Sequence, residues 1–502
     1  MPSLCYIRSD SYGIGANDVS NSFSAAVGSK AITLKQAVLI ASVCEFLGAF
    51  LMGSSTADTI KGGVIDNTLF ADQPELLMLG MACSLIGSST WVLFASSRGW
   101  PVSTTHAIIG AVTGIGIAAF GADTIQWISI AKIVLSWIVS PVCAGIVTAA
   151  IFLITKYLIL IHDNSLRRGL VAIPWYFSIT IFINIFYIVF KGSPGLGLSA
   201  LPIGTILGIS FGCSAAVFLW CFFFLRPYLR RKLEEGETTL KWYQAFYTPF
   251  VKKQEHPDPH LEALHHEESH GLPGDSEKKS GDVASIHSHG HGDINQTLKA
   301  LEDNTPTIRK RLYVVFLRLK KKLSYGMEQD INQNTEEIDA IHQTATKYDP
   351  TTEQLFCVLQ VLTSCFASFA HGSNDVANAV GPLATILYIW ENGSVDISGT
   401  SPVPAWVLAF GGIAIDIGLL TYGYKVMATL GNKITYLSPS RGFSASLGTS
   451  LTVLTCSKLG LPVSTTHCIT GSTTAVGLCS GSGLKSINWK MLGFIATSWG
   501  TF

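Results

Sequence analysis

Charge is scarce over most of this chain. Asp, Glu, Lys and Arg make up 14% of its 502 residues, against roughly 25% in an ordinary soluble domain, while hydrophobic residues make up 48%. The charges that are present crowd into residues 226–352. This distribution excludes an ordinary soluble domain and indicates a membrane protein interrupted by one polar segment.

Paired cysteines and a barrel pattern are also missing. The eleven Cys include no CxxC pair of the kind that zinc or redox chemistry needs, so we expect them to be small buried hydrophobes. Open sheet edges cannot lie in lipid, and the alternating segments of a β-barrel are absent. The amino terminus lacks the apolar core and cleavage site of a secretory leader. An all-α polytopic membrane protein remains.

A membrane-spanning helix needs about 20 mainly apolar residues. Seven windows of the sequence qualify, namely 37–53, 76–97, 127–161, 170–190, 200–225, 353–390 and 404–424. Two glycine-rich apolar runs, 107–122 and 468–484, are shorter and follow Pro and polar residues. We predict that these two runs form broken or re-entrant helices.

The polar segment divides the chain into three parts. We expect an N-terminal membrane half over 1–225, a hydrophilic His-rich loop over 226–352 and a C-terminal membrane half over 353–502. The composition of the loop predicts that it is largely disordered, apart from an amphipathic surface helix over 308–323. The cytoplasmic side is favoured because four basic residues directly follow a membrane helix: Arg226, Arg230, Arg231 and Lys232.

Two motifs occur twice. "GANDVSNSF" at 15–23 returns as "GSNDVANAV" at 372–380, and "PVSTTH" at 101–106 returns at 462–467. The offsets, 357 and 361 residues, are nearly equal, so a whole unit has been duplicated. Many secondary transporters are built from such halves, with the substrate site at their interface near mid-membrane and formed by discontinuous helices.

The first motif points to a cation. An Asp at the bilayer centre costs about 2.5–3.5 kcal/mol, so Asp18 and Asp375 need partners, and a bound cation is a natural one. Unwound backbone around each Asp would add carbonyl oxygens, and amide oxygens would come from Asn17, Asn21, Asn374 and Asn378. The alternative is that the motif only breaks a helix.

The second motif points to an anion. Proline suits the first turn of a helix, and Ser-Thr-Thr adds hydroxyls and free N–H groups at its positive end. Two such starts, 103–105 and 464–466, facing each other would enclose a tetrahedral oxyanion; alternatively these side chains only join helices. Three further groups are coupling candidates, although the two histidines could equally cap carbonyls: Glu45, His106 and His467.

With "CEFLGA", "GMACSLIGSS", "SPSRGFSASLG" and "VGLC" in the same order, these motifs resemble the inorganic phosphate transporter (PiT) family. The chain is most similar to the fungal sodium-dependent phosphate permeases. The resemblance implies an inverted-repeat secondary transporter with broken helices and a long cytoplasmic loop, in the plasma membrane. It implies symport of phosphate with sodium, no enzyme activity, and no cofactor beyond the coupling ion. No nucleic-acid partner is expected, and a homodimer is left open.

Carried onto this sequence, the resemblance assigns phosphate contacts to Asn17, Asp18, Ser103, Thr104, Thr105, Asn374, Asp375, Ser464, Thr465 and Thr466. It assigns sodium contacts to Asp18, Asn21, Asp375 and Asn378. An enzyme using Ser103 and His106 is disfavoured because no orienting acid accompanies them.

The chain departs from the family at three places. The apolar stretch before the first Asn-Asp motif is short, the carboxyl end stops where the family continues, and Ser446 stands where the family usually carries a Glu. We therefore expect a truncated chain, and two alternatives to sodium symport stay open. One is a proton-coupled permease; the other is a transport-deficient phosphate-binding sensor or paralogue.

Overall fold

The computed structural model describes residues 2–191, 201–237, 239–252, 317–318, 325–329, 336–399, 401–458, 463–481 and 483–499. The His-rich tracts of the polar segment lie outside the described residues, as does all but 317–318 of the amphipathic helix expected over 308–323. The described residues contain no β-strand, which confirms the all-α fold.

Among the described residues, nine α-helices precede the polar segment, and six longer than one turn lie at or after its end. The first group comprises α1 (Pro2–Asn17), α2 (Ser20–Gly28), α3 (Leu34–Met52), α4 (Ser54–Gly62), α5 (Pro74–Ser97), α6 (Thr104–Phe120), α7 (Trp127–Thr155), α8 (Ser165–Lys191) and α9 (Ile203–Trp220). The second comprises α10 (Glu336–Thr344), α11 (Pro350–Asn392), α12 (Ala405–Asn432), α13 (Pro439–Lys458), α14 (Thr465–Leu478) and α15 (Trp489–Trp499).

Seven described helical stretches are long and apolar enough to cross a membrane, and they match the seven predicted windows. They are Leu34–Met52, Pro74–Ser97, Trp127–Leu160, Ser165–Phe190, Ile203–Glu234, Pro350–Asn392 and Ala405–Gly431. The two helices that begin in the hexapeptides are shorter, with 17 residues in α6 and 14 in α14. Both fall below the roughly 20 residues that a full span requires.

The Asn-Asp motif breaks the helix in the first repeat only. There α1 ends at Asn17 and α2 begins at Ser20, which leaves Asp18 in the break. In the second repeat α11 runs unbroken through Asp375, so the prediction of unwound backbone was wrong at that copy. His371 lies one turn before Asp375 and contacts its carboxylate, which gives the helical Asp a partner that Ile14 cannot give Asp18.

Helices from the two repeats pack directly against each other, α1 on α12 and α3 on α11. Glycine makes this approach possible, since a Cβ at Gly15 would collide with the carbonyl of Ile415, and one at Gly418 with the carbonyl of Tyr12. Small residues at helix contacts are the usual means of close packing in membranes. Residues 1–221 and 323–502 consequently form one compact unit.

The described start of the polar segment is folded rather than extended. Short helical turns cover Trp242–Phe246 and Thr248–Phe250, and Arg231 donates to both carboxylate oxygens of Glu237 at 2.8 and 2.9 Å. Arg231 also donates to the carbonyl of Val251 at 2.8 Å. The expectation of disorder therefore does not hold for these residues.

Candidate functional site

Asp18 lies at the amino-terminal end of α6, where the first hexapeptide begins its helix. Its Oδ2 accepts a hydrogen bond from the Thr104 N–H at 3.3 Å and another from the Thr104 hydroxyl. The Thr466 hydroxyl, from the second hexapeptide, donates to Oδ1 at 2.9 Å. Both hexapeptides therefore meet at one carboxylate, which is buried to 2% exposure and stabilised by the positive end of a helix.

Asp375 is the equivalent residue of the second repeat and has a different set of partners. Thr465 donates its hydroxyl to Oδ2 at 3.2 Å, and Asn374 donates to Oδ1 at 2.7 Å. His371 Nε2 lies 2.7 Å from Oδ2. Two of these groups come from the same helix as Asp375, so this carboxylate is held largely within α11.

His371 connects Asp375 to Glu45, which lies alone in the apolar helix α3. Nδ1 of the ring is 2.8 Å from Glu45 Oε2, and the Ser368 hydroxyl donates to Oε1 at 2.7 Å. The Nδ1–Oε2 contact is a hydrogen bond, which requires a proton between the two atoms. The Nε2–Oδ2 contact is close but does not form a hydrogen bond in the present geometry. Glu45, His371 and Asp375 thus form a row of fully buried titratable groups.

The second asparagine of each Asn-Asp motif contacts the hexapeptide of the other repeat. Asn21 of the first repeat donates to the hydroxyl of Thr466 at 2.9 Å and to that of Thr465 at 3.4 Å. Asn378 of the second donates to the hydroxyls of Thr104 and Thr105, both at 3.2 Å. Each repeat therefore binds the hexapeptide of the other, as two copies facing each other about a two-fold axis do.

Three other side chains that were predicted to contact phosphate form hydrogen bonds with main-chain groups instead. Ser103 and Ser464 are N-cap residues, and their hydroxyls accept from the N–H of His106 and His467 at 3.3 Å. Asn17 donates to the Trp100 carbonyl at 2.9 Å and accepts from the Val102 N–H at 3.0 Å. It therefore fixes the approach to α6 rather than facing the carboxylates.

The structure places both hexapeptide histidines in an aromatic stack. The rings of His106 and His467 meet edge to face at 4.5 Å, and each lies against a Trp, His106 on Trp137 at 3.6 Å and His467 on Trp499 at 3.7 Å. Nδ1 of His467 lies 3.2 Å from the Trp137 carbonyl. These rings join the two repeats.

Ligand atoms of Asp18, His371 and Asp375 lie within 4.8 Å of one another. A small cavity of ≈ 10 Å³ opens beside them, with room for about one water. Asn21, His371, Thr465 and Ser446 are among its walls. The Ser446 hydroxyl is buried there with no hydrogen-bond partner.

The carboxylates of Asp18 and Asp375 and the threonine hydroxyls around them determine what the site can bind. Hydroxyls and amide groups suit either an oxyanion or a hard cation such as sodium, whereas clustered carboxylates favour a cation. His371 was missed by sequence reasoning because the first repeat has no equivalent of it, and its spacing of four residues before Asp375 was the available signal.

Comparison with known proteins identifies relatives over the whole length. A model of the phosphate transporter family matches residues 14–501. The phosphate-repressible phosphate permease pho-4 of Neurospora crassa is 37% identical, over 98% of this chain and 92% of that protein. The sodium-dependent phosphate transporter 1-B of Danio rerio is 31% identical, over 95% of this chain and 89% of that protein.

A solved structure described as the sodium-dependent phosphate transporter has a similar fold. The TM-score is 0.68 at 31% sequence identity, and the match covers 99% of this chain and 94% of that chain. The likeness therefore extends across both repeats.

Proposed function

This chain belongs to the phosphate transporter family, and we propose that it carries inorganic phosphate across a membrane together with sodium. The observation that supports this most is the meeting of both hexapeptides at Asp18. A site shared by two repeats closes and opens when the repeats move relative to each other, which is how inverted-repeat transporters alternate access.

The carboxylates make a coupling cation necessary. The threonine hydroxyls proposed to bind phosphate lie within hydrogen-bond distance of Asp18 and Asp375. A phosphate charge about 5 Å from a carboxylate is repelled by about 3 kcal/mol at an effective dielectric constant of 20. A sodium ion between carboxylate and phosphate converts repulsion into attraction. Binding of the two ions is then mutually dependent, and equally so in both directions.

In this proposal sodium binds Asp18 and Asp375 with oxygens of Asn21 and Asn378. The threonine hydroxyls that donate to these carboxylates in the present structure then turn to phosphate, which accepts hydrogen bonds from Thr104, Thr105, Thr465 and Thr466. Ser103, Ser464, Asn17 and Asn374 hold the surrounding backbone and carboxylates in place. Glu45 positions His371.

Proton coupling is a second candidate because of one specific feature. The buried row Glu45–His371–Asp375 has contacts of 2.8 and 2.7 Å, and buried acid–histidine chains are typical of proton relays. Under this alternative, uptake follows the pH gradient and is unchanged when sodium is replaced.

We further propose the plasma membrane as the location, with residues 226–352 as a cytoplasmic loop between the membrane halves 1–225 and 353–502. The basic cluster after α9 supports that side, since cytoplasmic ends of membrane helices carry an excess of Lys and Arg.

The test is uptake of labelled phosphate by cells that lack other phosphate transporters. We expect uptake in sodium and at least about a tenfold loss in choline, and a similar loss in sodium for Asp18→Asn and Asp375→Asn. The exposed Asp123 provides the matched control Asp123→Asn, which should retain the wild-type rate. Equal uptake in sodium and choline rejects sodium coupling, and uptake that depends only on pH supports the proton alternative.

A further inference from the structure

A row of buried polar side chains leads away from the central cavity between α11 and α13. Ser446 and Ser450 of α13 line the cavity; Gln360 and Ser364 of α11 share the helix face of His371, at spacings of eleven and seven residues. Among the described residues, the hydroxyls of all three serines and the Gln360 Nε2 are buried without a hydrogen-bond partner. Gln360 lies against α13, where Gly442 leaves no room for a Cβ beside its amide.

Arg441 lies at the end of this row, in the first turn of α13. Its side chain is 0% exposed. Nη2 donates to the Thr346 carbonyl at 2.6 Å, whereas Nε and Nη1 have no hydrogen-bond partner among the residues that the structure describes. Three rings surround the guanidinium at 5.2–5.7 Å: Phe152, Tyr348 and Tyr436.

Glu353 is the acid that interacts electrostatically with Arg441, but its carboxylate accepts hydrogen bonds from another residue. Both carboxylate oxygens of Glu353 are taken by Ser440, which donates its N–H and its hydroxyl at 2.8 Å each. Cation–π contacts stabilise part of the buried charge, but two N–H edges remain without an acceptor. A guanidinium with free, fixed edges matches an oxyanion in geometry and charge.

We propose that Arg441 is a second oxyanion site, which receives phosphate as it leaves the central site along the row formed by Ser446, Ser364 and Gln360. This inference rests on the proposed function. Five residues separate Arg441 from Ser446, about 7.5 Å along the helix, so the two sites are one short step apart. Uncharged serines and an amide between them offer hydrogen bonds to a passing anion without trapping it.

The segment just before α11 closes this site in the present structure. Thr346 donates its N–H to the Ser480 carbonyl at 3.1 Å while its own carbonyl accepts from Arg441. Asp349 caps α11 through the Thr352 N–H at 2.8 Å, and the Thr352 hydroxyl and N–H hold the pKa of Asp349 below its usual range. Release of phosphate then requires the bond between Arg441 and Thr346 to break.

The experiment compares two quantities in the same purified full-length protein: binding of labelled phosphate in sodium, and net uptake after reconstitution into liposomes. For Arg441→Gln we expect binding within about threefold of wild type and uptake reduced at least about tenfold. Arg441→Lys should give an intermediate rate of uptake, since lysine keeps the positive charge but lacks the paired N–H donors of the guanidinium. The exposed arginine at the start of α8 provides the control Arg168→Gln, which should match wild type in both quantities.

Two outcomes overturn the inference: wild-type uptake by Arg441→Gln, or losses of binding and uptake in equal proportion, which indicate a structural role. If Arg441→Gln does not fold, the test uses Gln360→Leu, which conserves the volume of the side chain. We expect this variant to retain phosphate binding and to lower uptake about fivefold. Wild-type uptake by Gln360→Leu rejects the proposed route. Absence of sodium-dependent uptake by the wild-type protein is a different result, since it rejects the proposed function itself.

Discussion

At the scale of single residues, His371 is the group that makes the two repeats unequal. It holds Asp375 within a continuous helix and joins Glu45 to the site, while Asp18 in the broken first repeat relies on threonine hydroxyls from both hexapeptides. The two carboxylates of the site therefore have different surroundings.

Glu45→Gln and His371→Gln test whether these residues act as one unit. Each single change interrupts the same chain, so we expect each to lower phosphate uptake about tenfold and the double variant to be no worse than either, a non-additive result typical of residues in contact. Ser42→Ala, on the same helix as Glu45, is the control. Losses that multiply in the double variant contradict the connected chain.

Sequence reasoning reached part of this site, and the misses have physical reasons. The equal offsets of the two motifs predicted that Asn21, Asn378 and the threonines belong together, which the reciprocal hydrogen bonds agree with. A repeat-based comparison is blind to His371, because position 14 is isoleucine. It also says nothing about direction, so the side chains of His106 and His467 could not be placed on the aromatic side of their helices.

At the scale of helices, contact between the repeats depends on glycine. Helix α1 crosses α12 so closely that Gly15 meets the backbone of Ile415 and Gly418 meets that of Tyr12. The break at Asp18 directly follows this crossing, so the crossing fixes the position of the carboxylate. Hydropathy predicted the seven long helices well because length and apolar content decide them, but it cannot predict which helices cross.

Gly15→Ala tests this crossing. The added methyl group overpacks the helix contact, and we expect a loss of about 1–3 kcal/mol of stability, seen as a lower melting temperature of the purified protein in detergent. Gly87→Ala in α5 is the matched control, since nothing lies within 4 Å of its Cβ position. It should be neutral or slightly stabilising. An unchanged melting temperature for Gly15→Ala means that the helices separate at little cost.

At the scale of the whole molecule, the duplication extends further than the two motifs. "IQWISIAKIVLSW" at 125–137 aligns with "INWKMLGFIATSW" at 487–499, 362 residues later. The indole N–H of Trp127 donates to the Ala122 carbonyl and that of Trp489 to the Leu484 carbonyl, at 3.0 and 2.8 Å. Because these two hydrogen bonds join residues at the same offset of 362 positions, α15 begins in the same way as α7.

The reciprocal contacts predict equivalent effects at distant positions in the sequence. Asn21→Ala and Asn378→Ala each remove the bridge from one repeat to the other's hexapeptide, so we expect phosphate uptake to fall in both, by factors within about threefold of each other. Asn392→Ala, at the exposed end of α11, should have no effect. A large loss in one variant with none in the other contradicts a site built equally from both repeats.

The central claim is that phosphate and sodium bind at one site between two carboxylates and two helix starts. Equilibrium binding of labelled phosphate to the purified protein tests it directly, in sodium and in choline, for wild type and Asp375→Asn. We expect at least about tenfold tighter binding of phosphate in sodium than in choline for the wild type, and a much smaller difference for the variant. The same phosphate affinity in sodium and choline for the wild-type protein contradicts it.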